Sequence, residues 1–133
     1  MIVVDSNILA CLYLPGDLTA QAEQLLAEDP DWVAPPLWRS EFRNILAGYI
    51  RRGALTLDQA CALQLEAEGL LSGREYDVDS HDVLELVTAS ECSAYDCEFV
   101  ALAKKLGVKL ATMDKKVLRN FPEGTISIDS VSH

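Results

Sequence analysis

Short apolar runs alternate along the chain with segments in which apolar residues recur at helical spacing. Runs rich in β-branched and aromatic residues are typical of buried strands. We expect strands at residues 2–4, 32–34, 75–78 and 108–112, and a weak fifth at 126–128. Strands separated by helices indicate an α/β fold, a three-layer sandwich with a mostly parallel central sheet of about five strands and helices on both sides.

Two consecutive helices are predicted between the second and third strands. After Pro35 and Pro36, which suit a helix start, apolar residues follow the spacing of an amphipathic helix until Gly53. Thr56 and Gln59 then form a capping-box pattern. A second helix should run from there to about residue 71 and form a helical hairpin with the first.

Two more helices are predicted in the second half of the chain. One should start near Ser80. The other has an apolar face of Tyr95, Phe99, Leu102, Ala103 and Leu106, and Gly107 is placed to end it just before the fourth strand.

Composition limits the class of protein. The 133 residues are half apolar, which fits one domain over residues 1–133. The longest apolar stretch, residues 8–14, is far short of the roughly 20 residues that span a bilayer. Because the first basic residue is Arg39, no signal peptide is expected. We therefore predict a cytoplasmic protein without a membrane partner, whose four cysteines are reduced, buried and not spaced for zinc.

Charge is distributed unevenly. Eleven basic and 21 acidic residues give a net charge of −10, which by itself argues against nucleic acid as a partner. Residues 99–119, however, contain six bases and a single acid, Asp114.

Four acids are expected at one edge of the predicted sheet. Asp5 directly follows the first strand and Asp114 follows the fourth. Glu41 lies in the opening turns of the helix after the second strand, and Asp96 opens the helix that contains Phe99. Ligands of parallel sheets bind beyond the carboxyl ends of the strands, so these side chains should share a pocket.

Converging carboxylates repel one another unless a cation compensates their charge. Oxygen ligands without His or Cys favour Mg²⁺ or Mn²⁺, and four carboxylates can neutralise two such ions. Carboxylate-bound metals commonly act on phosphates by activating water.

Each acid also has a structural interpretation. Asp5 and Asp114 suit helix N-caps, and Asp96 suits a helix first turn. Glu41 could pair with Arg39 or Arg43. Asp77, Asp79 and Asp82 follow the third predicted strand, where we expect a helix cap and a solvated face rather than metal ligands.

The segments IVVDSNIL, PPLWRSEFRNIL, SAYDCEFVALAKKLG and LATMDKKVL, in this order, resemble the PIN domain family, most closely the VapC-like toxin ribonucleases. The resemblance covers nearly the whole chain. It implies an endoribonuclease dependent on Mg²⁺ or Mn²⁺, with one or two ions bound by Asp5, Glu41, Asp96 and Asp114. By the same resemblance Asn7, Thr112 and Ser6 are supporting polar residues; for Ser6, a hydrogen bond within the turn is an equal alternative. A cognate antitoxin and a homodimer are also implied.

Basic residues near these acids are candidates for RNA binding. Lys115, Lys116 and Arg119 follow Asp114, and Arg52 lies three helical turns from Glu41. Ordinary surface charge is the alternative. Trp32 and Trp38 are expected in the core rather than in base stacking.

Three other functions are alternatives. The chain could be a PIN-like module that binds RNA or protein, or an RNA-processing nuclease that is not a toxin. A small-molecule phosphatase is disfavoured because Asn7 replaces the second acid of an Asp-x-Asp motif.

Overall fold

Four strands alternate with seven helices in the computed structural model, which describes residues 1–130. The last three residues of the predicted 1–133 domain lie outside that range. In chain order the elements are β1 (Ile2–Val4), α1 (Ser6–Tyr13), α2 (Thr19–Glu28), β2 (Trp32–Val33), α3 (Leu37–Arg51), α4 (Leu57–Leu70), α5 (Ser80–Thr88), α6 (Ala94–Leu106), β3 (Leu110–Thr112), α7 (Lys115–Asn120) and β4 (Thr125–Ser127), followed by a 3₁₀ turn at Ile128–Ser130.

The sheet has the strand order β2-β1-β3-β4, and all its pairs are parallel. Val3 of β1 lies opposite Val33 on one side and Leu110 on the other. Every residue of β1 and β3 is buried, as expected for parallel strands covered on both faces. The predicted α/β sandwich with a parallel sheet is therefore confirmed.

Helices pack around the sheet in two groups. Helix α1 contacts α2, α3 and α4, and α3 contacts α4, whereas α5 packs on α6 and α6 packs on β1 and β3. The predicted core positions Trp32, Trp38 and Phe42 are fully buried. This burial confirms that the two tryptophans belong to the core and leaves neither free for stacking on a base.

The prediction of a strand at residues 75–78 was wrong. Only one bridge forms, in which Ala34 donates to the carbonyl of Arg74 and accepts from the amide of Tyr76. The reason is that β2 is two residues long and offers almost no edge to pair with. The carboxylate of Glu75 instead accepts hydrogen bonds from Trp38 and Arg39, which ties this segment to the start of α3.

The predicted helix limits are confirmed. The capping box of Thr56 and Gln59 is formed at the start of α4. Gly53 and Gly107 follow α3 and α6 with φ angles of 74° and 69°, in the left-handed region that favours glycine. The limits of α1, α2 and α7 were not predicted, because α1 lies inside a continuous apolar run and α7 is only six residues long.

All four cysteines are free thiols, but not all are buried as predicted. Cys92 and Cys97 are buried, Cys11 is partly buried and Cys61 is exposed on α4. In residues 1–130, none of the helices combines the length and the apolar character needed to cross a bilayer.

Candidate active site

A cavity of about 380 Å³ opens beyond the carboxyl ends of β1 and β3. Its lining includes all four predicted acids, which come from four different parts of the chain: Asp5, Glu41, Asp96 and Asp114. It also includes the three predicted supporting residues Ser6, Asn7 and Thr112. The parallel topology explains this meeting, because it places the ends of β1 and β3 side by side.

Asp5 joins the end of β1 to the start of α1. One carboxylate oxygen accepts from the amide of Ile8 as the N-cap of α1, at 3.1 Å. The other accepts from the hydroxyl of Thr112, at 2.5 Å. The carboxylate of Asp5 is thus held by the helix that it caps and by the neighbouring strand β3.

Asp114 is the N-cap of α7, and its carboxylate accepts from the amides of Lys116 and Val117. Its own amide donates to the Thr112 hydroxyl at 3.0 Å. The fully buried Thr112 hydroxyl therefore connects Asp5 with the residue that bears the second carboxylate.

Glu41 accepts a hydrogen bond of 2.8 Å from the hydroxyl of Ser6. The alternative in which Glu41 pairs with an arginine is wrong, because Arg39 pairs with Glu75 and Glu68, and Arg43 donates to Ser40 and to the carbonyl of Arg39. The side-chain contact of Ser6 is likewise with Glu41 rather than within its turn.

Asp96 lies in the first turn of α6, where Ser93 is the N-cap. The Ser93 hydroxyl accepts from the amide of Asp96 at 3.1 Å. The backbone of Asp96 is thereby fixed while its side chain lines the cavity.

No Lys, Arg or His is among the described residues that line the cavity. Burial raises the pKa of Asp5 to about 6, against the opposing effect of the Thr112 hydrogen bond, and the charges of Glu41 and Asp114 raise it further. Burial also raises the pKa of Glu41, and the charges of Asp96 and Glu98 contribute to that rise. No cationic side chain among the described lining residues therefore neutralises the negative charge of the cavity.

The donor set fits a hard divalent cation, since it offers carboxylate oxygens whose charge is uncompensated. As the side chains stand, however, no three Asp, Glu, His or Cys groups within residues 1–130 converge closely enough to hold one ion. The carboxylate oxygens are therefore suitable ligands for a divalent cation, but they lie too far apart in this structure to hold one together.

Two of the acids cap helices and are also candidate site residues. Asp5 and Asp114 are helix N-caps and line the cavity at the same time. Asp79 is the predicted cap, at the start of α5. Asp77, Asp79 and Asp82 are exposed and do not line the cavity.

The predicted RNA-binding residues lie outside the cavity. Lys115, Lys116 and Arg119 are exposed on α7, the helix that begins directly after Asp114. Arg52 follows α3, with its guanidinium carbon 4.4 Å from the centroid of the Tyr49 ring. Tyr49 lines a neighbouring depression that shares Asn7 and Ile45 with the acidic cavity.

Sequence reasoning missed three lining residues that carry polar groups. Asn44 lies three residues after Glu41 and four residues after Ser40, so the i,i+3 and i,i+4 spacing of a helix could have found both. Tyr95 was placed on the apolar face of α6, but this prediction was wrong: the residue is 64% exposed and lines the cavity. Its first-turn position leaves it beyond the elements that bury Phe99.

Comparisons with known proteins identify the family of this chain. The chain matches the model of the PIN domain over residues 2–123. It is 32% identical over 124 residues to Ribonuclease VapC3 of Pyrobaculum aerophilum, covering 91% of this chain and 95% of that protein.

Solved structures share the fold. FitAcB from Neisseria gonorrhoeae superposes with a TM-score of 0.77 at 19% identity, covering 98% of this chain and 99% of that one. A toxin-antitoxin complex from Klebsiella pneumoniae gives a TM-score of 0.68 at 16% identity, covering 96% and 98%. The match to the PIN domain model over residues 2–123 and the 32% identity to Ribonuclease VapC3 show that this protein belongs to the PIN domain family.

Proposed function

We propose that this chain is a single PIN-like domain acting as a divalent-metal-dependent endoribonuclease, which hydrolyses RNA phosphodiester bonds as the toxin of a type II toxin–antitoxin pair. The observation that carries the metal and the chemistry is the cavity itself, where four carboxylates meet without a basic side chain. The substrate class rests on the relative named Ribonuclease VapC3.

Asp5, Glu41, Asp96 and Asp114 would hold one or two Mg²⁺ or Mn²⁺ ions. Bound ions of this kind supply an acidic water and neutralise charge that develops on phosphate oxygens. The carboxylates would move closer together on binding, because attraction to a cation replaces their mutual repulsion.

Hydroxyl groups of neighbouring residues orient two of these acids by hydrogen bonds. Thr112 keeps Asp5 oriented and favours its ionised form, since it donates to the carboxylate. Ser6 does the same for Glu41. Asn7 lines the cavity beside them and has an amide with which it can orient water or RNA.

Basic residues around the acidic cavity would hold the RNA backbone. Lys115, Lys116 and Arg119 lie on the helix that Asp114 caps, and Arg52 lies near the neighbouring depression. They would neutralise phosphates on either side of the one that is cleaved.

An antitoxin and a second copy of the chain are the proposed protein partners. The likeness to a toxin-antitoxin complex supports the first, and the resemblance to VapC-like toxins supports the second. The mass of the purified protein in solution, alone and with the product of the neighbouring gene, tests both.

Cleavage of labelled total RNA with Mg²⁺, Mn²⁺ or EDTA tests the proposed function. Asp5→Asn and Asp96→Asn are expected to abolish cleavage, as is EDTA. Asp77→Asn is the matched control, because it neutralises an exposed acid outside the cavity. All proteins are to be prepared free of bound antitoxin.

The alternative functions predict different results. Wild-type protein that binds Mn²⁺ but cuts no RNA would favour a PIN-like binding module. Cleavage that persists in both variants would place the active site elsewhere. Cleavage restricted to one precursor RNA would favour RNA processing over a toxin.

A further inference from the structure

Tyr95 is an exposed aromatic residue at the mouth of the acidic cavity. It is 64% exposed, whereas Phe99, one turn further along α6, is buried. Tyr95 immediately precedes Asp96 in the chain, and both residues line the cavity.

Two polar side chains of α3 line the same cavity. Ser40 and Asn44 are exposed and flank Glu41 along that helix. The cavity therefore lies between a wall that contributes Tyr95 and Asp96 and a wall that contributes Ser40, Glu41 and Asn44. Asn44 has an amide that can both donate and accept a hydrogen bond.

We infer that Tyr95 and Asn44 form a subsite for one unpaired nucleobase of the RNA, next to the phosphate that ions bound to the acids would hold. The base stacks on the Tyr95 ring, and the Asn44 amide contacts its edge. This inference rests on the proposed ribonuclease function and adds how that site selects its substrate.

The chemistry of the lining favours a base over a phosphate at this position. The described lining residues include no basic side chain, but they do include Leu37, Ile45 and Phe99. An aromatic ring with apolar and amide neighbours matches a nucleobase, which has apolar faces and polar edges. Phosphates are better matched by the basic residues of α7.

The other aromatic residues near the cavity are less suited to this role. Trp38 is fully buried, and the Tyr49 ring is already covered by the guanidinium of Arg52. Phe99 lines the cavity from the core. Among the described lining residues, Tyr95 alone combines an aromatic ring with high exposure.

A protein–RNA double-mutant cycle tests the subsite. The probe is a labelled single-stranded RNA containing a site that the wild type cuts, together with versions in which each nucleotide in turn is abasic. Binding is measured at low salt in EDTA by fluorescence anisotropy, and cleavage is measured under single-turnover conditions with Mn²⁺. The proteins are wild type, Tyr95→Ala, Tyr95→Phe and, as a control, Leu84→Ala, which removes an exposed side chain of α5 away from the cavity.

Tyr95→Ala is expected to weaken binding about 5- to 100-fold, because stacking on an aromatic ring contributes strongly to single-strand affinity. Tyr95→Phe should recover most of that loss, and Leu84→Ala should bind as wild type does. One abasic position should cost the wild type as much as Tyr95→Ala does, and should cost Tyr95→Ala nothing more. Asn44→Ala should relax the base preference at that position.

The outcomes separate this inference from the proposed function. If the wild type cleaves RNA and abasic losses are the same in wild type and Tyr95→Ala, the subsite is wrong and the ribonuclease stands. If the wild type neither binds nor cleaves RNA, both are wrong. A loss in Tyr95→Ala that Tyr95→Phe does not recover, with no abasic position affected, would indicate a structural role and overturn the inference.

Discussion

Asp5 serves the fold and the site with the same carboxylate. As an N-cap it satisfies the amide of Ile8, and as a cavity residue it lies with Glu41 and Asp114 in a place that raises its pKa to about 6. The hydrogen bonds stabilise the folded chain, while the buried charge destabilises it. The cation that we propose for this site would offset that cost when bound.

Asp5→Asn is expected to stabilise the metal-free protein at pH 8. The pKa of Asp5 is about 6 in the folded protein, above the ordinary value of 3.8. The contribution of the Asp5 proton to the free energy of unfolding is therefore fully present below pH 3.8 and is lost as pH rises through about 6. The ionised group then costs up to about 3 kcal/mol. Because Asn keeps only part of the hydrogen bonding, we expect a gain of about 1–2 kcal/mol. Urea unfolding in EDTA measures it.

The gain should disappear near pH 4, where Asp5 is protonated in the folded state. Asp77→Asn is the control and should change the free energy of unfolding by less than about 0.5 kcal/mol at either pH. An Asp5→Asn protein less stable than wild type at pH 8 would show that capping outweighs the buried charge.

Thr112→Val should impair both stability and cleavage. Valine has nearly the same shape as threonine but leaves the amide of Asp114 unpaired and removes the donor to Asp5. We expect a loss of about 1–3 kcal/mol. Since the hydroxyl lowers the pKa of Asp5, the pH at half-maximal cleavage should move upward.

Thr112→Ser retains the hydroxyl and is the matched variant. It should keep the pH profile of the wild type. A Thr112→Val protein whose cleavage falls without any change in pH profile would indicate that the residue acts only through stability.

Helix starts determine where three of the acids lie. Asp5 and Asp114 cap α1 and α7, and Asp96 follows the Ser93 cap of α6. Helices α1 and α7 begin within three residues of the ends of β1 and β3, so for Asp5 and Asp114 the capping geometry and the position of the acid have one local cause. Glu41 differs, because it lies inside α3 and its contact with Ser6 is made across the fold.

Alanine is expected to have opposite effects at two glycines near helix ends. Gly107 ends α6 at φ 69°, where a Cβ is strained, so Gly107→Ala should cost about 1 kcal/mol. Gly69 lies within α4 with open space where a Cβ would be, so Gly69→Ala should add about 0.5 kcal/mol. Urea unfolding of both variants measures the pair. If both substitutions changed the free energy of unfolding in the same direction, the assignment of Gly107 as the residue whose left-handed conformation ends α6 would be contradicted.

The net negative charge of the molecule opposes RNA binding, whereas the basic residues of α7 favour it. The net charge is −10, yet Lys115, Lys116 and Arg119 lie exposed beside the acidic cavity. At distances beyond a Debye length the acidic body is screened by salt, so the local bases decide contact. We therefore expect weak and strongly salt-dependent RNA binding.

Replacing Lys115, Lys116 and Arg119 together by Gln is expected to weaken RNA binding roughly tenfold at low salt. The slope of log K against log salt should fall by about 2, since each lost phosphate contact on a single strand removes about 0.7. Anisotropy titrations over a series of salt concentrations measure both. Lys104→Gln, on the exposed end of α6, is the control, and an unchanged slope in the triple variant would exclude α7 from the RNA path.

Much of the fold and all four acids were predictable because the relevant signals are local. Helical spacing, the capping box at Thr56 and the glycine stops depend on residues within about four positions of each other. The edge shared by Asp5 and Asp114 followed from strands alternating with helices, since parallel strands end on the same side.

Only the tertiary structure decided the contacts between distant parts of the chain. The hydrogen bonds of Ser6 with Glu41 and of Thr112 with Asp5 join residues 35 and 107 positions apart. The short β2 edge prevented a strand at 75–78, and the end of α6 projecting past the core exposed Tyr95. Periodicity shows which residues can share a face; the packing of every other element decides whether that face is covered.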